Sequence, residues 1–288
     1  MLKNVAGIWF ESKTAEDEYV VRTYDLGNGH REAVISRPVI WQEVPPELAA
    51  RLGDDWRAMA DRDAADKVKQ EEKREANLRR AARRATTRVR RVVKVLALDS
   101  FLTLTYRGNM TDLATAKVHL KEFVRRMRRA LPGWVYVCAF ERQKRGAWHM
   151  HIATHKLPLQ MSAKNGVKVK SFNVVRAIWR SVTGDLGGNI DQVRRKRWSR
   201  HSTARMAAYL SKYMLKAFED GDQWSNRYSA SAGVEIPDAV VTRWRGERLA
   251  DLIGLVYDEC STGAVDITTW LSRWGDVFYL STEGPPIS

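Results

Sequence analysis

Cysteine is nearly absent: Cys138 and Cys260 are the two in 288 residues, and they form no CxxC pair. That excludes a disulfide framework and a cysteine zinc finger, and it fits a reducing compartment. Cys138 sits inside an apolar run, where a thiol packs as a small hydrophobe. No apolar run approaches the roughly 20 residues of a membrane span, and the chain starts without a basic-then-apolar leader. A soluble, cytoplasmic protein with no membrane partner is expected. There is also no G-x-x-x-x-G-K-[ST] stretch, so no P-loop is present to drive strand separation. Acidic residues are scarce beside basic ones: Asp and Glu number 34 against 49 Lys and Arg, for a net charge of +15. An excess of that size points to an anionic partner, nucleic acid first.

What is present falls into four stretches. Residues 1–53 mix aromatic and β-branched residues with turns such as "DLGNGHRE" and predict a β-rich N-terminal extension. Residues 54–90 are rich in Ala, Arg, Lys and Glu without proline, predicting a long charged helix. Within and beyond it, "RRAARRATTRVRRVVK" (79–94) carries eight basic residues and no acidic one. Such a run is either a solvated face or a contact for phosphates. Residues 91–220 are the patterned part. "FLTLTY" (101–106), "WVYVCAFE" (134–141), "AWHMHIAT" (147–154) and 188–194 predict strands. Residues 112–130, with Thr111 as N-cap, 172–182 and 203–218 predict helices. A polar, Lys-rich loop is expected from the third strand to about residue 170. The order β-α-β-β-α-β is that of a ferredoxin-like, RRM-like antiparallel sheet backed by helices, an α+β fold. Residues 221–288 predict a helical C-terminal extension, built around "RLADLIGLVYDE" and fraying from Ser281.

Two of the six histidines stand at i and i+2 in one of these strands. Alternation puts His149 and His151 on one face with Ala147 and Ala153, and sends Trp148, Met150 and Ile152 to the other. The pair is either two satisfied buried imidazoles or a metal site. On the hairpin partner, Glu141 is the ionisable member of the facing set Val135, Val137, Ala139 and Glu141. Two imidazoles and a carboxylate leave open positions on an octahedral Mg²⁺ or Mn²⁺. Zinc is an alternative if His155 joins to make three histidines.

"YLSKYMLK" (209–216) places Tyr209 and Tyr213 on one helical face, a turn apart. Tyrosines at this spacing are commonly core. Here Lys212 and Lys216 each follow a tyrosine by three residues, where an ammonium can favour a phenolate or hold the phosphate it attacks. The phenol is a weak nucleophile at its ordinary pKa of about 10, and a metal-polarised phosphodiester supplies the activation it lacks. Together the pairs point to phosphoryl transfer onto tyrosine.

In these three stretches the sequence resembles the rolling-circle replication initiators, the Rep endonucleases of the HUH superfamily (His, hydrophobic, His). "FLTLTY" is similar to their first motif, "ERQKRGAWHMHIA" to the second and "YLSKYMLK" to the third, in the two-tyrosine, phage-type form. The resemblance implies an HUH endonuclease fold that nicks and joins single-stranded DNA at the replication origin of a phage or plasmid in a bacterial host. It implies Glu141, His149 and His151 as ligands of Mg²⁺ or Mn²⁺, Tyr209 and Tyr213 as nucleophiles, and Lys212 and Lys216 as assisting groups. A host helicase and polymerase are the further partners. Thr103 and Thr105 alternate with leucines and offer a polar floor, although for Thr103 strand propensity already accounts for the residue type. Candidate DNA-binding residues are Arg125, Arg126, Arg128 and Arg129 on the first helix, and Arg194, Arg195, Lys196 and Arg197 with Trp198 to stack a base. A transposase or relaxase of the same chemistry, and a noncatalytic DNA-binding regulator, are the competing readings.

Overall fold

The computed structural model describes residues 2–49, 66–162, 166–194, 203–219 and 228–285. Two compact units emerge. One comprises residues 1–77 together with 237–285, and the other residues 78–236.

In chain order, the first unit begins with β1 (Leu2–Val5), β2 (Ile8–Thr14), β3 (Glu18–Asp25), β4 (Arg31–Ser36) and β5 (Val39–Glu43). Helix α1 (Lys67–Val95) follows. The second unit continues with β6 (Ser100–Tyr106), α2 (Leu113–Ala130), β7 (Tyr136–Arg142), β8 (Trp148–Thr154), β9 (Gln160–Ser162) and β10 (Lys168–Lys170). It is completed by α3 (Ser171–Thr183), β11 (Gly188–Arg194), α4 (Thr203–Glu219) and β12 (Tyr228–Ala230). The first unit then closes with β13 (Val240–Arg245), α5 (Leu249–Ser261), β14 (Asp266–Leu271) and β15 (Val277–Glu283). No helix among the described residues is long and apolar enough to cross a membrane.

The second unit is built on an antiparallel five-stranded sheet in the order β11-β6-β8-β7-β12. Its first four strands reproduce the ferredoxin-like order expected of β-α-β-β-α-β, and β12 adds an outer edge along β7. Period-2 alternation divides the side chains cleanly. Leu102, Leu104, Phe140, Trp148, Met150 and Ile152 lie in a core with Phe123 and Met127 of α2 and Val175 and Trp179 of α3. Phe101, Val137, Ala139 and Ala153 face the other way, against Val89, Val92 and Val93 of α1 and Met206, Ala207 and Leu210 of α4. The fold is thus α+β, with helices flanking both sheet faces.

Several details depart from expectation for physical reasons. Asp112, not Thr111, caps α2: its two carboxylate oxygens accept from the backbone N–H groups of Ala114 and Thr115 at 3.0 Å each. The Thr111 carbonyl is meanwhile taken by the Trp148 indole at 3.0 Å. Helix α1 runs on to Val95 because Val89, Val92 and Val93, at i, i+3 and i+4, bury a stripe that the surrounding arginines obscure. Residues 54–65 of the expected charged helix lie outside the described residues. Within the expected Lys-rich loop, β9 and β10 form a short antiparallel pair anchored by buried Met161.

In the first unit, strands from both parts of the chain share one sheet, in the order β13-β3-β4-β15-β14. Leu252, Val256 and Cys260 of α5 cover it, packed on Tyr19, Val21, Ile35, Phe278 and Leu280. The segment after residue 236 is therefore a strand-helix-hairpin rather than helical. Ser281 is not frayed, because it pairs with Glu32 of β4. Strands β1, β2 and β5 form a separate three-stranded sheet.

Candidate metal and tyrosine site

The candidate site lies on the α1/α4 face of the second unit's sheet. The β7–β8 hairpin sets Glu141 opposite His149 and Ala139 opposite His151. One ligand atom from each of Glu141, His149 and His151 lies within 4.8 Å of the others, a triad that can hold a metal ion. Glu141 and His151 are buried and His149 is half-buried. The histidine rings are 6.4 Å apart between centroids, near the roughly 7 Å that strand geometry sets for i and i+2 residues.

The donor set suits a small divalent cation. His151 Nε2 and Glu141 Oε2 are 2.8 Å apart. Two atoms bound at right angles to one ion with bonds of 2.0–2.1 Å would be about 2.9 Å apart. Mixed imidazole and carboxylate donors also match the intermediate hardness of Mn²⁺ and related ions. His155 is exposed beyond the end of β8 and is not part of the group.

Three neighbours hold these side chains in place. Gln143, two residues beyond Glu141, donates from Nε2 to Glu141 Oε2 at 2.6 Å. Thr103 on β6 is paired with His151 in the register, and its Oγ1 lies 3.4 Å from His151 Nδ1. Phe101 stacks on His151 at 5.8 Å and meets Tyr209 edge-on at 5.2 Å. The sequence carried a signal for each: a cross-strand polar residue, an i+2 amide and a β6 aromatic. Without the register, none could be tied to the histidines.

Helix α4 brings the tyrosines to this triad. Buried Ala207 and Leu210 seat the helix on β7 and β8, and that turns Tyr209 and Tyr213 toward His151. The Tyr213 ring stacks on His151, with centroids 3.7 Å apart and planes 13° from parallel. Tyr209 packs edge-on against Tyr213 at 4.8 Å, and the Tyr213 hydroxyl donates to that of Tyr209. Tyr209 is 48% exposed. Burial, then the Tyr209 contact, pushes the Tyr213 phenol well above its ordinary value.

The remaining candidate residues are distributed unevenly. Lys212 is exposed on α4, whereas the side chain of Lys216 lies outside the described part of that helix. Arg125, Arg126, Arg128 and Arg129 belong to α2, which covers the sheet face opposite the triad. Of these, Arg125 and Arg126 are ion-paired with Glu122 at 2.6 Å, and Arg128 donates to Ser231 Oγ at 3.3 Å. Arg194 ends β11, with its side chain outside the described residues. Arg195, Lys196, Arg197 and Trp198 also lie outside them.

Residues 99–218 match the model of a family described as replication-associated protein of the ORF2 type. The matched stretch, under half the chain, runs from just before β6 into the last residues of α4. It therefore takes in Thr103, Glu141, Gln143, both histidines and both tyrosines, and it supports a role in replication for that segment. No curated protein and no solved structure gives a significant match to the chain.

Proposed function

We propose that the protein nicks and rejoins single-stranded DNA at a replication origin, initiating and terminating rolling-circle replication of a phage or plasmid. The observation that carries this reading is the stack of Tyr213 on His151, which joins two tyrosines to a buried Glu-His-His triad. The match to a replication-associated family supports the biological setting.

Glu141, His149 and His151 would hold Mg²⁺ or Mn²⁺, which when bound polarises the scissile phosphodiester. A tyrosine oxygen attacks phosphorus and displaces the 3′-oxygen. The 5′-phosphate stays linked to tyrosine, and a free 3′-hydroxyl is left to prime synthesis. Tyr209, the more exposed of the two, is placed for the first attack. Tyr213 donates to it and so orients an oxygen lone pair outward. Lys212, three residues beyond Tyr209 on α4, offsets the charge that develops on the phenol oxygen. After a round of synthesis Tyr213 cleaves the regenerated origin, and the new 3′-hydroxyl attacks the first phosphotyrosine to release a circle. Unwinding and synthesis fall to a helicase and a polymerase of the host.

The test is a labelled single-stranded origin oligonucleotide incubated with the protein and Mn²⁺ or Mg²⁺, followed by denaturing electrophoresis. A covalent adduct is expected that requires metal and disappears in Tyr209→Phe/Tyr213→Phe and in His149→Ala/His151→Ala. An adduct persisting without both tyrosines would sink the assignment. Tight binding to origin strands with no adduct from any of them would leave a DNA-binding regulator.

A further inference from the structure

Behind the triad, on the opposite sheet face, a groove of about 640 Å³ runs between α2 and the edge strand β12. Its floor is apolar, made by Leu120, Val124 and Phe140. Its helical wall carries Lys117, Lys121, Arg125 and Arg128. The first three recur every four residues, so their backbones are about 6 Å apart along the helix. Glu122 offsets the charge of Arg125, and no acidic side chain is among the described residues that line the groove, so the wall stays cationic. The far wall is β12, where Ser229 Oγ lies 2.8 Å from the Tyr136 hydroxyl.

That edge strand connects the two faces. Ala139 of β7 pairs with His151 on one side and with Tyr228 of β12 on the other. Phe140, next in sequence, points into the groove while Glu141 points into the triad. One strand at the sheet edge is therefore all that separates the candidate site from a cation-lined, apolar-floored channel. Resting on the reading that the protein handles single-stranded DNA, we propose that this groove binds the strand flanking the nick site after it rounds the β12 edge. The cations of α2 would face its phosphates, and the apolar floor its sugars and bases. A row of cations over an apolar floor matches a flexible polyanion with apolar faces, the chemistry of single-strand channels. A short substrate confined to the triad would not reach it.

The experiment measures binding of the full chain in EDTA, so that no outcome depends on cleavage. Labelled oligonucleotides of about 6 and about 30 nucleotides are titrated at graded salt, the shorter matching a single small site. For Lys117→Gln/Lys121→Gln, the log–log salt slope on the long strand should fall by about 1.4, two phosphate contacts at about 0.7 each. Binding of the short strand should not change. Ala232→Trp, which obstructs the groove without altering charge, should weaken the long strand alone. An unchanged slope and affinity on the long strand overturns the groove. Equal losses on both lengths overturn it too, since they would mean a general field effect. If the length-specific loss appears in a protein that never forms an adduct, the groove stands and the nicking reading falls.

Discussion

Glu122 sets how much positive charge the α2 groove presents. The guanidinium groups of Arg125 and Arg126 beside it draw its carboxyl down to about 2. A carboxyl depressed in the folded state favours folding above its unfolded value, and that contribution is lost as pH falls through the folded one. Glu122→Gln should therefore change the urea midpoint slightly at neutral pH and not at all near pH 2. The group is solvent-exposed, so the effect is small. The same substitution releases Arg125 and should tighten single-strand binding at neutral pH and low salt. Thr103 acts on the other face. Thr103→Val keeps its shape but removes the hydroxyl beside His151 Nδ1. Partners of this kind fix ring orientation, and losing one typically lowers metal affinity about 10–100-fold. A Mn²⁺ titration followed by electron paramagnetic resonance should show that loss with no change in fold.

Helix α4 does two tasks at one spacing: Leu210 buries while Tyr209 and Tyr213 face the triad. Leu210→Ala, at a fully buried position, should cost about 2–5 kcal/mol by urea denaturation. It should also reduce adduct yield, because the helix loses its seat on β7 and β8. The four strands and three helices around the triad were legible in the sequence because each shows one clean period. Glu141, His149 and His151 were legible for the same reason: alternation alone fixes their faces. Register was not legible, so Thr103, the residue opposite His151, was read as strand propensity. The buried stripe of α1 was hidden among arginines, since Val89, Val92 and Val93 are a minority in a basic run. Arg125 and Arg128 were read from charge, which carries no information about sheet face. They lie across the sheet from the tyrosines.

Strand pairing in the first unit joins residues from far apart in the chain. Strands β3 and β4 are flanked by β13 and β15, with α5 covering Tyr19, Val21 and Ile35. A chain ending at Ile236 keeps every strand of the second unit's sheet and strips these flanks away. It should retain a Mn²⁺-dependent rise in melting temperature. Its β3–β4 hairpin should be cut early in limited proteolysis, with the fragments read by mass spectrometry. A β3–β4 hairpin as protected as in the full chain would contradict this pairing.

The order of strands also imposes a timetable on synthesis. Strand β4 leaves the ribosome at Ser36, but its neighbour β15 begins only at Val277. At about 5–20 residues per second, the early hairpin waits roughly 10–50 s with an open edge and an apolar face uncovered. All the residues of the second unit's sheet emerge during that interval. The nascent chain can therefore complete its candidate nicking unit, and even meet metal and DNA, before the sheet that starts at its own beginning is finished. Nascent chains stalled shortly before Val277 are where aggregation, or capture by a chaperone, should concentrate.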